Sequence, residues 1–140
     1  MLEQVPRLLF VCIENSCRSQ MAEAFARQCA GVRAEIVSAG SNPSGQVNPR
    51  AIGFMRERGL DLTTQRSKSL LDLPAGAPWD VIVTMGCGDA CPTLPARHRI
   101  DWELPDPKHL PDDGFRALRD RIELLVRTLL DETLGGEHAQ

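Results

Sequence analysis

A short and almost wholly apolar run at residues 7–13 constrains the fold of this chain more than any other feature. Such a run is typical of a strand that is buried on both faces of a parallel sheet. The pattern changes to helical spacing over residues 16–30, and Gly31 is placed to end that helix. A buried strand that leads directly into a helix predicts an α/β fold whose later strands run parallel to the first.

The rest of the sequence repeats this alternation of strands and helices. Further strands are predicted at residues 33–37, 79–85 and 99–102, and further helices at 48–59, 69–73 and 112–134. Asn48 and Pro49 form a typical helix start, and residues 38–40 are expected to break the second strand. We therefore expect one domain over residues 1–140, with a four-stranded parallel sheet flanked by helices in a flavodoxin-like arrangement.

The size, charge and cysteine content of the chain narrow its function classes. Its 140 residues suit a single domain, and its formal net charge of −3 argues against a nucleic-acid partner. No apolar run approaches the ~20 residues of a membrane span, and the N-terminus lacks the pattern of a signal peptide. Five cysteines, an odd number, fit a disulfide framework poorly. We expect a monomer without a membrane partner, located in the reducing cytoplasm. Grouped cysteines in that compartment more often have catalytic or metal-binding roles than structural ones.

The turn between the first strand and the first helix, residues 12–19, is the most informative segment for function. Five residues separate Cys12 from Arg18, which is enough for a loop whose backbone N–H groups converge on one point. The helix N-terminus adds free N–H groups and the positive end of its dipole, and Arg18 can bind two oxygens at once. These features predict a cradle for a tetrahedral oxyanion, formed by Ile13, Glu14, Asn15, Ser16, Cys17 and Arg18.

Cys12, at the floor of this cradle, is the candidate nucleophile. Helix-terminal N–H groups and Arg18 favour its thiolate, and Ser19 can donate a hydrogen bond to the sulfur. Asn15 suits a left-handed backbone position in so tight a turn. The competing interpretation is that Cys12 is only a buried residue at the end of a strand.

The pattern of Cys12, five residues and then Arg18 and Ser19 resembles the signature of the low-molecular-weight protein tyrosine phosphatase superfamily. Residues 15–23 are similar in more detail to the loop and first helix of arsenate reductases built on that fold. The likeness covers most of the chain, because residues 38–40, 48–49 and 104–107 follow in the expected order. It implies the low-molecular-weight phosphatase fold and a thioredoxin-coupled arsenate reductase with a weak phosphatase side activity.

The resemblance also implies roles for three residues outside the loop. Asp106, which stands between two prolines, would be the general acid that protonates the departing oxygen. Cys87 would attack Cys12, expel arsenite and form a Cys12–Cys87 disulfide. Cys91 would then move the disulfide to Cys87–Cys91, from which thioredoxin would remove it. No cofactor or metal is expected beyond these thiols.

Other interpretations of the same residues stay open. One is a zinc site, whose spacing fits no common motif and whose ligands would be Cys87, Cys91, His98 and His109. Another is a small thiol such as mycothiol or glutathione as the final reductant. A third is a low-molecular-weight tyrosine phosphatase, but Lys108 stands where those enzymes carry aromatic residues, and the sequence has no Tyr. The last alternative is a noncatalytic sensor of phosphate or of redox state.

Two positions depart from the pattern of the resembled reductases. Glu14 puts a carboxylate into a loop that binds anions, so its side chain has to point outward or weaken binding. Some of those reductases hold a potassium ion near the loop, with ligands that match Asn15, Glu23 and Ser38 here, together with an Asp. Residues 66–68 read Arg-Ser-Lys at the place of that Asp. We expect the ammonium group of Lys68 to replace the ion.

Overall fold

The computed structural model describes residues 5–74, 76, 78–86 and 94–135, and it confirms the predicted α/β architecture. The strands are β1 (Arg7–Cys12), β2 (Glu35–Gly40), β3 (Trp79–Thr84) and β4 (Ala96–Asp101). The helices are α1 (Arg18–Ala30), α2 (Pro49–Arg56) and α3 (Asp112–Thr133), with 3₁₀ turns at Gly31–Arg33, Leu62–Thr64, Leu70–Asp72 and Pro107–His109. The four strands form one parallel sheet in the order β2-β1-β3-β4.

β1 is a central strand of the sheet because it is apolar enough to be covered on both faces. All of its residues are buried, and it pairs with β2 on one side and β3 on the other. Cys12 pairs with Gly40 at the carboxyl end of the ladder. The candidate nucleophile therefore lies at the edge where open α/β sheets place their binding sites.

Three strand boundaries differ from the prediction by more than one residue. β2 begins at Glu35 and not at residue 33, because Gly31–Arg33 forms a 3₁₀ turn. The expected break at residues 38–40 is wrong: β2 continues through them, because its parallel ladder with β1 runs on to the pair of Cys12 and Gly40. Gly40 is needed there, since a Cβ would lie 2.5 Å from the carbonyl oxygen of Ile13. β4 begins at Ala96, before the predicted start at residue 99. Its residues are largely exposed and polar, so pairing with β3 and not an apolar pattern defines it.

Different elements cover the two faces of the sheet. α1 and α3 pack together over one face and bury Leu8 and Phe10 of β1. On the other face, the buried residues are Leu9, Val11, Ala39, Trp79 and Ile82, with Leu70, Leu73 and Leu94 packed against them. Trp79 and Trp102 are both buried. Packing of α1 on the sheet fixes the start of that helix relative to Cys12.

α3 is the longest helix and closes the fold. Its buried residues are Phe115, Leu118, Arg119, Ile122, Val126, Leu129 and Leu130, which repeat at helical spacing. Its exposed residues are mostly charged. None of the helices in the described ranges is both long and apolar enough to cross a membrane.

Candidate active site

The loop of residues 13–17 carries the chain from the end of β1 to the start of α1 at Arg18. Asn15 turns this loop with a φ of 49°, which confirms the predicted left-handed position. Cys17 precedes the helix without giving it a side-chain cap. The N–H groups of the first helical turn are therefore not occupied by a capping side chain, as a site for an anion requires.

A small pocket lies over this loop and gathers most of the predicted site residues. Its volume is about 150 Å³, below the ~300–1,000 Å³ of pockets that hold drug-sized ligands. Cys12 contributes to it although only 3% of the residue is exposed. The other predicted residues in its lining are Ile13, Glu14, Ser16, Cys17, Arg18 and Asp106. No described residue of the lining is aromatic, and the dimensions suit a small anion.

Arg18 forms part of the pocket wall, and two neighbours hold its guanidinium group. Nη1 donates a hydrogen bond to the carbonyl oxygen of Leu104 at 3.2 Å. Gly86 lies against the same group, because a Cβ there would stand 2.8 Å from Nη1. The φ of Gly86 is 80°, in the region that favours glycine. Gly86 thus makes room for Arg18, a role that its place in a glycine-rich stretch does not reveal.

Asp106 reaches the same pocket from the turn that precedes α3. Its Oδ1 accepts a hydrogen bond from the backbone N–H of Lys108 at 3.0 Å, which holds the carboxyl group at the start of the Pro107–His109 turn. The structure therefore brings Cys12, Arg18 and Asp106 around one space. A thiol nucleophile, an anion-binding cation and a carboxyl group in one pocket can support attack on an oxyanion and protonation of its leaving oxygen.

Ser19 contacts the sulfur of Cys12 from the first turn of α1. Its Oγ lies 2.9 Å from Cys12 Sγ, and both atoms are buried. The Nδ2 of Asn15 donates a hydrogen bond to this Ser19 Oγ at 2.7 Å. Because Ser19 accepts from Asn15, its own O–H is free to donate to the sulfur. Ser19 therefore fixes the position of the sulfur at the floor of the pocket.

Asn15 belongs to the predicted cradle, but its fully buried side chain lies behind the loop and outside the pocket lining. Its Oδ1 accepts hydrogen bonds from the backbone N–H of Lys68 at 2.8 Å and from Nε2 of Gln20 at 2.9 Å. These donors fix the amide orientation, so that Nδ2 faces Ser19 and Ser38. The sequence interpretation missed Gln20, because a glutamine within a helix gives no signal of such a contact.

Behind Asn15, a buried carboxylate is surrounded by donors. Glu23 is 3% exposed, and its Oε1 accepts a hydrogen bond from Ser38 Oγ at 2.5 Å. Arg27 Nε lies 2.9 Å from the other oxygen of Glu23. Lys68 Nζ lies 3.5 Å from Glu23 Oε1, 3.4 Å from Ser38 Oγ and 3.0 Å from the carbonyl oxygen of Arg66.

The oxygens of this cluster already have N–H or ammonium partners. The ammonium group of Lys68 already supplies a cation to the oxygens of Glu23 and Ser38. The side-chain oxygen of Asn15 is occupied by two N–H donors, so it is not free to coordinate a metal. Burial lowers the pKa of Lys68 from its ordinary value, and the nearby Glu23 carboxylate opposes that shift.

Cys17 shares the loop with Cys12 but differs in its chemistry. Burial, together with the nearby Cys12 sulfur, raises the pKa of the Cys17 thiol to about 12. At neutral pH it is therefore a neutral thiol and a poor nucleophile. Burial also raises the pKa of Cys29, near the end of α1. Both thiols are therefore weaker nucleophiles than an ordinary cysteine at neutral pH.

Glu14 forms an ion pair with Lys108 at the pocket. Its Oε2 lies 3.0 Å from Lys108 Nζ, and the two side chains are 39% and 57% exposed. The pair connects the cradle loop to the turn that carries Asp106. The pKa of Lys108 is raised, chiefly by its hydrogen bond to Glu14 and the charge of that carboxylate, with Asp106 adding to it. The carboxylate in the anion-binding loop is thus matched by a cation.

The predicted relay cysteines, Cys87 and Cys91, lie outside the described residues. The described chain reaches Gly86, beside Arg18, and the strand before it ends next to β1. The zinc alternative depends on the same two cysteines. Within the described ranges, no three His, Cys, Asp or Glu side chains gather in a way that could hold a metal ion.

A larger groove of about 510 Å³ lies among the β4 strand, the first part of β3 and the end of α3. Its lining includes Asp80, Arg97, His98 and Glu132. It contains none of the predicted catalytic residues among those the structure describes. The chemistry of the side chains, and not the size of the cavity, identifies the smaller pocket as the candidate active site.

The sequence of this chain matches a known protein family and several named relatives. A family model described as low molecular weight phosphotyrosine protein phosphatase matches residues 7–140. The chain is 38% identical over 130 residues to arsenate reductase 1 of Bacillus cereus (strain ATCC 10987 / NRS 248), which covers 90% of this chain and 95% of that protein. It is 35% identical over 127 residues to the glutaredoxin arsenate reductase of Synechocystis sp. (strain ATCC 27184 / PCC 6803 / Kazusa), covering 89% and 95%.

Solved structures of arsenate reductases are also similar to this chain. An arsenate reductase in the phosphate binding state superposes with a TM-score of 0.80 at 33% identity, covering 92% of this chain and 99% of that one. The thioredoxin-dependent arsenate reductase of Corynebacterium glutamicum superposes with a TM-score of 0.77 at 30% identity, covering 100% of this chain and 66% of that one. The whole described fold is therefore shared with structures of known activity.

Proposed function

This chain belongs to the low molecular weight phosphotyrosine protein phosphatase family, and we propose that within this family it is an arsenate reductase. One observation carries the proposal: Cys12 lies in a small pocket of the kind that binds a tetrahedral anion, and Ser19 is placed to donate to its sulfur. The similarity to arsenate reductases over most of the chain favours arsenate over a phosphorylated protein as substrate. The absence of aromatic residues from the described lining supports the same choice.

In the first step, arsenate binds in the loop of residues 13–18, with Arg18 and backbone N–H groups against its oxygens. The Cys12 thiolate attacks arsenic, and Asp106 gives a proton to the oxygen that leaves as water or hydroxide. The contact with Ser19 holds the sulfur in position before the attack. Cys17 does not compete, because its thiol stays protonated at neutral pH.

In the second step, the arsenic–sulfur bond breaks and a disulfide forms. Cys87 attacks Cys12, arsenite leaves with the electron pair of the arsenic–sulfur bond, and Cys12 and Cys87 become oxidised. Cys91 then attacks Cys87 and releases Cys12 as a thiol, so that the disulfide moves to Cys87–Cys91. Two electrons from two thiols thus balance the reduction of arsenic from the +5 to the +3 state.

Thioredoxin is the proposed reductant of the final disulfide. This choice follows the similarity to the thioredoxin-dependent reductase of Corynebacterium glutamicum. The similarity to a glutaredoxin arsenate reductase keeps a glutathione-linked route as the alternative. Either route suits a monomeric enzyme in the cytoplasm, where these reductants keep thiols reduced.

The test is arsenate-dependent oxidation of NADPH in the presence of thioredoxin and thioredoxin reductase. Cys12→Ser, Cys87→Ser and Cys91→Ser should each abolish turnover, whereas Cys29→Ser should retain it as the matched control. If Cys91→Ser turns over with glutathione and glutaredoxin, the proposed reductant is wrong and the chemistry at Cys12 stands. If the wild type ignores arsenate but hydrolyses aryl phosphates rapidly, the chain is a phosphatase.

We further propose that the ammonium group of Lys68 takes the place of an alkali ion behind the loop. It acts as a positioning group, because it holds Glu23 and Ser38, and Ser38 receives a hydrogen bond from Asn15. Replacing Na⁺ by K⁺ should leave both the melting temperature and the turnover of the wild type unchanged. A marked increase of either with K⁺ alone would contradict the proposal. Lys68→Met, which removes the internal cation, is the variant in which such a dependence could appear.

A further inference from the structure

The ion pair between Glu14 and Lys108 crosses from one wall of the pocket to the other. Glu14 belongs to the loop over Cys12, and Lys108 belongs to the turn that starts at Asp106. Both residues line the pocket, and both side chains remain partly exposed, so the pair lies where the pocket meets solvent. The mechanism above uses neither side chain.

The line along which Cys12 attacks determines where the leaving group lies relative to this pair. A nucleophile at Cys12 displaces the substituent on the opposite side of the central atom, and Asp106 is the carboxyl group proposed above to protonate it. Lys108 follows Asp106 closely and donates its backbone N–H to that carboxylate. The leaving group therefore departs beside the Glu14–Lys108 pair. A hydroxide or water is a small leaving group, whereas an aryl oxygen carries a ring that needs open space beyond the oxygen.

We propose that the Glu14–Lys108 ion pair is a specificity gate that admits a free tetrahedral oxyanion and excludes its aryl esters. The gate rests on the proposed function in one respect: it assumes that Cys12 attacks along the line toward Asp106. It deepens that function because it explains how a phosphatase-type pocket is restricted to inorganic substrate. Lys108 also neutralises Glu14, so the carboxylate does not repel the anion.

The gate makes a prediction that a simple charge effect does not make. If the two side chains acted only through their charges, Glu14→Gln would strengthen the binding of every anion and Lys108→Met would weaken it. A gate is opened by either substitution, because each one breaks the pair. Both variants should therefore increase the use of an aryl phosphate relative to inorganic phosphate.

The experiment measures kcat/KM for p-nitrophenyl phosphate and the inhibition constant of inorganic phosphate in the same variants. We expect kcat/KM divided by the phosphate affinity to rise about fivefold or more in both Glu14→Gln and Lys108→Met. The charge-swapped double variant, Glu14→Lys with Lys108→Glu, should return the ratio toward the wild-type value because it restores the pair. Glu57→Gln, which removes an exposed carboxylate paired with Arg116 away from the pocket, is the matched control.

Salt supplies a second measurement that requires no substitution. High ionic strength screens exposed ion pairs, so the ratio should rise with NaCl in the wild type and stay flat in Glu14→Gln. Opposite changes in the two single variants, or an unchanged ratio in both, would overturn the gate. None of these assays uses thioredoxin or arsenate, so failure of the gate and failure of the reductase proposal are distinguishable.

Discussion

Two pairs of a lysine and a glutamate flank the same loop, one behind it and one in front. Behind it, Glu23 and Lys68 have side chains that are 4% and 18% exposed, with their charged atoms 3.5 Å apart. In front of it, Glu14 and Lys108 are 39% and 57% exposed and 3.0 Å apart. The shorter distance belongs to the more exposed pair. Burial, and not distance, determines which pair supports the structure.

The difference follows from the solvent around each pair. An exposed ion pair contributes ~0–1 kcal/mol, because water and salt screen it. Removing one partner of a buried pair leaves a charge without compensation, which costs ~3–5 kcal/mol in well-enclosed cases. The rear pair is also connected through Ser38 and Asn15 to Ser19, which contacts the nucleophile. We infer that the rear pair, Glu23 and Lys68, controls the position and reactivity of the Cys12 thiol. The front pair, Glu14 and Lys108, controls which substrates enter the pocket.

The same substitution on the two lysines tests this comparison with the largest expected effect. Lys68→Met should lower the free energy of unfolding by about 1–2 kcal/mol, less than the full buried-pair effect because Arg27 still contacts Glu23. Lys108→Met should change it by no more than about 0.5 kcal/mol. Denaturant unfolding measures both values. Equal losses in the two variants would contradict the distinction.

The same two variants differ in the reactivity of the nucleophile. Lys68→Met should slow alkylation of Cys12 by iodoacetamide at neutral pH, because a disturbed Glu23–Ser38 contact loosens Asn15 and Ser19. Lys108→Met should leave the rate within about twofold of the wild type. Lys68→Arg, which keeps the positive charge, should recover part of the rate. A purely structural role of Lys68 would lower stability without changing this rate.

Gly86→Ala tests whether the front of the pocket is sensitive to steric changes. A φ of 80° strains alanine by about 1 kcal/mol, and its Cβ would stand 2.8 Å from Arg18 Nη1. Because a guanidinium group can move aside, we expect the larger effect on function, with phosphate binding weakened about tenfold. Phosphate titration and thermal unfolding measure the two effects. Gly135→Ala is the matched control, since it has a similar φ and no neighbour within 4 Å among the described residues.

A cluster around the exposed Glu57 carboxylate, away from the loop, provides a smaller, pH-dependent effect. Hydrogen bonds from Arg116 and Arg119 lower the pKa of Glu57 to about 2 from the ordinary 4.5. A lowered pKa in the folded state means that the stabilisation is complete above about pH 4.5 and is lost as the pH falls toward 2. The Tm difference between the wild type and Glu57→Gln should therefore shrink from pH 6 to pH 3. A difference that grows on acidification would contradict this assignment.

The smallest effect is expected at Cys17. Because the pKa of its thiol is raised to about 12, iodoacetamide should leave it unmodified at pH 7 while Cys12 reacts. Mass spectrometry of a variant with Cys29, Cys87 and Cys91 replaced by Ser would show a single labelled site. Rapid labelling of Cys17 would mean that the loop is more open than the structure indicates.

The sequence predicts the elements that depend on local patterns. The apolar run of β1 and the Asn48–Pro49 start of α2 are such patterns, and both are confirmed. β4 was harder to locate, because an exposed edge strand has little apolar signal and is defined by pairing with β3. The sequence also predicts a break where β2 continues through residues 38–40. Gly40 weakens a strand signal, yet the close approach of Ile13 requires it.

The candidate site likewise has a part that the sequence predicts and a part that it does not. The oxyanion loop follows from residues that are neighbours in sequence, so its elements can be identified without a structure. The partners of Asn15, Glu14 and Arg18 come from distant segments, and a single sequence does not show which side chains meet there. The contact of Lys68 with Glu23 was expected only through the resemblance to proteins with a cation at that position. The contact of Glu14 with Lys108 had no sequence signal.

The most direct test of the proposed chemistry is a single turnover without any external reductant. Fully reduced protein is mixed with one equivalent of arsenate, and both arsenite and free thiols are counted. We predict one arsenite formed and two thiols lost per chain, with neither change in Cys12→Ser. Arsenate that stays unreduced, or arsenite formed while Cys12→Ser behaves as the wild type, would contradict the assignment of Cys12 as the thiol that reduces arsenate.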